Sequence, residues 1–166
     1  RLSAGTFAFT DGNHRGGIGI VFVHRAPDGK TARRELSTTL TEVFPEGITL
    51  ADGGAVSPAD MLARIRNIAT ELAAAYVAVS TVKPNTRLTI VYDYEGVGAW
   101  LREEDPWKIK DPIVASLIQR IKARARDAGL SLGFRHLRGH QADRLLLSEW
   151  IQENRRADAL ATQAVP

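Results

Sequence analysis

The sequence contains no cysteine. A disulfide scaffold and a thiolate zinc site are thereby excluded. The absence suits a reducing compartment, and a cytoplasmic location is the expectation. No apolar run approaches the ~20 residues of a membrane span. The longest, such as Leu72 to Val79, fall far short of it, so no membrane partner is expected. No signal-peptide pattern opens the chain. There is no internal repeat, no low-complexity tract and no linker between two domains. The chain starts at Arg1 rather than at a methionine, as a trimmed chain or a piece of a longer protein would.

What is present describes an ordinary globular domain. The 166 residues are 44% hydrophobic and 25% charged, enough for one sizeable core. The formal charge is +3 and the pI about 9.5, compatible with a polyanionic partner. Arg120, Lys122, Arg124 and Arg126 lie close together, a pattern that is usually a solvated helix face. Acidic residues instead recur singly, at the ends of apolar runs.

Strand signals come first. Thr6 to Thr10 ends at Asp11-Gly12-Asn13, and Ile18 to Val23 is rich in β-branched residues. Pro27-Asp28-Gly29 is a turn, which returns the chain through Thr31 to Thr39. Residues 40–57 hold Pro45, Gly47, Gly53 and Gly54 without a clear period, and read as an irregular insertion. Ser57-Pro58-Ala59-Asp60 is a helix start, and alanine-rich sequence carries that helix to about Ser80. Arg87 to Tyr92 is a buried-strand pattern ending at Asp93. A short helix over Gly96 to Arg102 follows. Asp111-Pro112 opens another, with Ile113, Leu117 and Ile121 on its apolar face. Ser131 to Leu137 is a strand, and Ser148 to Gln163 the last helix. Three antiparallel strands followed by alternating helices and strands predict an α/β fold, with a five-stranded mixed sheet flanked by helices.

Four acids stand out. Asp11 and Asp93 end strands, and neighbouring strands that end together place their side chains in one crevice. Glu71 lies among Leu72, Ala74 and Ala75, where a buried carboxylate needs a partner or a metal. Asp158 is on the final helix. Clustered carboxylates repel unless a cation neutralises them, and magnesium is the usual hard oxygen-seeking ion. Each residue also has a plainer reading. Asp11-Gly12-Asn13 is a good turn, Glu71 and Asp158 could face solvent, and Asp93 could cap the short helix. His140, after a glycine, could be a loop or capping residue.

The ordered set of motifs resembles ribonuclease H type 1, most closely its bacterial and viroplasmin-like branch. Thr10-Asp11-Gly12-Asn13 with Gly16-Gly17 is similar to the family's first-strand signature. Arg66 to Ala74 resembles the helix that presents its glutamate. Ile90-Val91-Tyr92-Asp93-Tyr94-Glu95-Gly96-Val97 with Trp100 is similar to the second aspartate motif. His136 to His140 and Asn154 to Ala161 resemble the terminal histidine loop and last aspartate. The likeness spans residues 4 to 164 and implies a single catalytic domain over residues 1–166.

The resemblance implies a reaction: hydrolysis of the RNA strand of RNA/DNA hybrids, leaving 5′-phosphate and 3′-hydroxyl ends. It implies two Mg2+ ions, with Mn2+ as substitute, held by Asp11, Glu71, Asp93 and Asp158 when substrate is bound. His140 would assist proton transfer or product release. Gly12, Asn13, Asn67 and Asn154 would meet the substrate, whose 2′-hydroxyl distinguishes RNA from DNA. A monomer is expected.

Three departures qualify the match. His140 and Asp158 stand 18 positions apart, longer than the family's usual spacing, with 141–150 as an extended loop or early helix start. Residues 40–57 are longer than the usual link. Trp107 to Ile113 is too short for a basic protrusion, and no hybrid-binding domain is present in this sequence, although one could lie outside it. Two alternatives keep the fold but change the role: a retroelement-type or DNA-cutting nuclease, and a non-catalytic nucleic-acid-binding module.

Overall fold

The computed structural model describes residues 4–137 and 148–165. Three antiparallel strands open the chain: β1 (Gly5–Gly12), β2 (Gly17–Arg25) and β3 (Thr31–Thr39). Helix α1 (Leu40–Val43) and a two-residue hairpin, β4 (Ile48–Thr49) with β5 (Ala55–Val56), follow. Then come α2 (Pro58–Ile65), α3 (Asn67–Thr81), β6 (Arg87–Tyr92), α4 (Gly96–Leu101), α5 (Pro112–Asp127), β7 (Ser131–His136) and α6 (Ser148–Ala164). The main sheet has the order β3-β2-β1-β6-β7, with β6 parallel to β1 and β7 parallel to β6. This is the mixed sheet expected from the sequence.

Strand alternation divides the core into two layers. Phe7 and Phe9 of β1 join Val21, Val23 and Val91 on one face, where α6 seals them with Ala157 and Leu160. Trp150 of α6 meets both phenylalanine rings edge-on, at 5.9 and 5.8 Å. Ala8, Ile18, Ile20 and Ile90 point to the other face, under α3 and α5. Among the described residues no helix is long and apolar enough to cross a membrane.

Two segments differ from the sequence expectation. The single helix expected from Ser57 to Ser80 is two helices, broken at Arg66, whose φ of 54° lies in the left-handed region. The Arg66 amide still closes α2 onto Leu62, and its carbonyl accepts from Ala69 in α3. A non-glycine residue held this way costs roughly 1–3 kcal/mol and persists only where its surroundings enforce it. Residues 40–57 are more regular than their composition suggests. Leu40, Phe44, Ile48 and Val56 are buried. Phe44 packs on Tyr76 of α3 at 5.4 Å, and the Ser116 hydroxyl of α5 donates to the Thr49 carbonyl. The segment is therefore a cover over the α3–α5 layer.

Candidate active site

Asp11 is near the end of β1, paired across the ladder with Gly19 of β2. On its other side β1 runs parallel to β6, with Phe9 opposite Val91. The Thr10 hydroxyl donates to the Val91 carbonyl at 3.2 Å and ties the two strand ends. Two residues further along that register stand Asp11 and Asp93, near enough for the Asp93 charge to act on Asp11.

Glu71 reaches the same point from α3. It is 2% exposed, and its Oε1 accepts from the Gly12 amide at 2.9 Å. Gly12 is required for this approach: a Cβ there would stand 2.6 Å from the Thr70 side chain. The Thr70 hydroxyl in turn donates to the Asn13 carbonyl at 2.9 Å. Burial pushes the Glu71 carboxyl well above its usual value, and the neighbouring Asp11 charge adds to this. Burial is also the largest cause at Asp11, which is pushed up to about 7, with Asp158 and Asp93 contributing.

Asp158 comes from the opposite face, on α6. Ion pairs of 2.8 Å fasten that helix to β2 and β3: Arg25 with Glu149, Arg33 with Glu153, and Arg156 with Glu35. The Ser37 hydroxyl adds a 2.6 Å bond to the Leu160 carbonyl. The Asp158 charge helps to raise the Asp11 carboxyl. All four sequence-predicted acids are thus brought to one end of the sheet.

Their chemistry suits a hard divalent cation. Glu71 Oε2 is buried and has no hydrogen-bond partner, and it belongs to a carboxylate set beside another carboxylate. Neither group has a proton donor for the other when both are ionised, so a cation or a shared proton must settle the pair. Among the described residues no three such side chains are drawn together tightly enough to hold a metal ion as they stand. Glu71, Asp158 and Asp93 each act on the Asp11 carboxyl.

The remaining expected residues fall differently. Asn67 and Asn154 each sit four positions before an acid, Glu71 or Asp158, and so share its helix face. The Asn13 side chain is internally occupied: Nδ2 donates to the Ala161 carbonyl at 3.0 Å, and Oδ1 accepts from the Arg15 and Gly17 amides. His140 lies outside the described residues, as does most of 141–150.

Two features escaped the sequence reading. One is the contact made by His136, the first residue of the histidine-loop motif, whose Nε2 is 2.6 Å from the Asp93 carbonyl. The other is a cleft of about 580 Å³ running from the α2–α3 break to the segment before α5. Arg64, Arg66, Lys108 and Lys110 make it cationic, and Tyr94 and Trp100 give it an aromatic wall. Its one acid, Asp111, already caps α5 through the Ile113 and Val114 amides. Trp107, 42% exposed, continues the wall, edge-on to Trp100 at 6.2 Å.

No protein-family model matches this chain, and no curated protein matches it. Solved structures do. RNase H1 from the halophilic archaeon Halobacterium salinarum NRC-1 aligns with 96% of each chain, at 20% identity and TM-score 0.54. LC11-RNase H1, isolated from compost by a metagenomic approach, aligns with 98% of this chain and 96% of its own, at 20% identity and TM-score 0.58. The N-terminal RNase H domain of rv2228c from Mycobacterium tuberculosis covers 97% of this chain and 98% of its own, at 18% identity and TM-score 0.53. The chain has the RNase H fold.

Proposed function

We propose that this chain is a divalent-metal-dependent endoribonuclease that hydrolyses the RNA strand of RNA/DNA hybrids, leaving 5′-phosphate and 3′-hydroxyl ends. The carrying observation is the unpartnered buried oxygen of Glu71 beside Asp11, in a group completed by Asp93 and Asp158. A turn or a solvated helix face gives no reason to bury such an oxygen. Asp11, Glu71, Asp93 and Asp158 would hold Mg2+ or Mn2+. Such ions, if bound by these carboxylates, would supply an activated water and charge stabilisation of the leaving oxygen of a phosphodiester.

The chain's own residues supply placement. The Gly12 amide holds Glu71 with its second oxygen free. The α6 ion pairs keep Asp158 against the sheet. Nucleic acid would lie along the cationic cleft, with phosphates against its lysines and arginines and bases or sugars against Tyr94 and Trp100. Asn67, at the cleft's edge, and Asn154 would contact the strand that is cut. Gly12 and Asn13 would offer main chain to it. His140 would assist proton transfer or product release.

The test is cleavage of end-labelled RNA/DNA hybrid with magnesium, manganese or EDTA, beside plain and branched DNA. Cutting of hybrid RNA that stops in EDTA supports the reading. Preferential cutting of DNA moves the substrate to another nucleic acid. Asp93→Asn should lower cleavage on the order of a thousandfold, since it removes several kcal/mol of charge stabilisation. Asp93 is exposed, so its fold should be unchanged. Equal cleavage by mutant and wild type would sink the site assignment.

A further inference from the structure

Asp93 lies one residue past the end of β6, where the strand's ladder runs out. The last rung is the Leu137 amide on the Tyr92 carbonyl, at 2.7 Å. The next carbonyl, that of Asp93, is met by a side chain: His136 Nε2 stands 2.6 Å away. A carbonyl only accepts, so Nε2 is the protonated nitrogen and donates. The imidazole is itself constrained. His136 pairs with Tyr92 across the parallel β6–β7 register, and the two rings stack at 5.5 Å with 12° between their planes. One side chain thus joins the end of β7 to the main chain that carries the Asp93 carboxylate.

We propose that His136 is a positioning residue for the candidate metal site, fixing the Asp93 main chain so that its carboxylate is aimed toward Asp11 and Glu71. This rests on reading Asp93 as a metal-holding carboxylate. Partners that orient metal ligands through hydrogen bonds typically carry a 10–100-fold effect on metal affinity.

The experiment compares wild type, His136→Phe and His136→Gln. Phenylalanine keeps a flat ring on Tyr92 and removes the donor. Glutamine restores a donor without the ring. Mn2+ titrations followed by thermal shift should show His136→Phe raising the metal midpoint about tenfold. Its melting temperature in EDTA should stay close to wild type, its kcat should fall at limiting metal, and its KM for hybrid should hold. His136→Gln should recover most of the metal affinity. An unchanged midpoint in His136→Phe, or an equal loss in both variants, overturns the assignment. Nitrogen-15 NMR of the wild type gives a reading that needs no variant: a neutral ring protonated at Nδ1 instead of Nε2 also overturns it. A wild type that binds no Mn2+ overturns the metal site itself. A binding wild type that leaves hybrid uncut overturns only the substrate.

Discussion

Asp11 faces Gly19 across the β1–β2 ladder, and the side chain Gly19 lacks is what lets α6 bring Asp158 to Asp11. A Cβ on Gly19 would overlap the carbonyl oxygen of Ala157, the residue before Asp158. The same strand repeats the device at Gly17, where a Cβ would overlap the Ala161 carbonyl. Helix backbone therefore lies directly on strand backbone at the end of the sheet that carries the four acids.

Gly19→Ala should consequently do two things. Overpacking a close contact costs typically 1–3 kcal/mol. For a domain of this size each kcal/mol lowers the melting temperature by roughly 2–4 °C. The displaced α6 should also weaken metal binding, because Asp158 moves with Ala157. Differential scanning calorimetry with and without Mn2+ separates the two. A variant that melts lower yet gains the wild-type increment from Mn2+ would show that the contact serves stability alone.

How far the sequence discloses this site depends on which physical constraint each residue answers. Asp11 and Asp93 are visible because each ends an apolar strand, and Glu71 because it interrupts an apolar helix face. The break at Arg66 is invisible: arginine is a good helix former, and tertiary packing overrides that preference at φ 54°. The β4–β5 hairpin escapes for another reason, since two-residue strands are too short to show a period. Gly17 and Gly19 read as strand or turn glycines until α6 is placed on them. His136 is visible only as the start of the histidine-loop motif, and its contact is not, because its partner is a main-chain carbonyl 43 positions away.

Asn13, expected to meet the substrate, has its side chain committed within the fold. Its amide nitrogen holds α6 at Ala161, and its oxygen organises the β1–β2 turn through the Arg15 and Gly17 amides. Asn13→Ala should cost about 1–3 kcal/mol, the usual penalty for stranding partly buried donors and acceptors. Asn13→Asp keeps the turn acceptor but sets a carboxylate oxygen against the Ala161 carbonyl, so it should not regain wild-type stability. Chemical denaturation of the three proteins checks the order. If Asn13→Ala keeps full stability and raises only KM for hybrid, the side chain works on substrate instead.

Glu71 and Asp11 predict a pH dependence of metal-free stability. Folding raises both carboxyl pKa values, chiefly through burial, so the native state binds more protons than the unfolded chain within the affected window. Stability then falls as pH rises through that window, which for Asp11 spans 3.8 to about 7. Melting temperatures in EDTA should decline across it, and saturating Mg2+ should flatten the decline. Glu71→Gln retains an acceptor for the Gly12 amide and turns the unpartnered oxygen into a donor toward Asp11. It should raise metal-free stability at neutral pH by about 1 kcal/mol while abolishing cleavage. A lower melting temperature for Glu71→Gln in EDTA at pH 7 would contradict this account.

Binding along the cationic cleft should show itself as salt dependence rather than as rate. Lys108 and Lys110 are exposed, and no carboxylate among the described residues pairs with either, so removing them leaves no buried charge behind. Surface changes of this kind usually move stability by less than about 0.5 kcal/mol. A lysine that contacts a phosphate releases roughly one counterion on binding, and its loss lowers the slope of log K against log salt by about one. Lys108→Ala and Lys110→Ala should each weaken hybrid binding at low salt, reduce that slope and leave kcat near wild type. Together they should reduce it by about two. Trp107→Ala should weaken binding without changing the slope, because stacking carries no counterion. Fluorescence anisotropy with labelled hybrid at several salt concentrations, in Ca2+ to prevent cutting, gives both quantities. If the double lysine variant keeps the wild-type slope, the nucleic acid does not follow this cleft, and its path from the four acids must lie over another face.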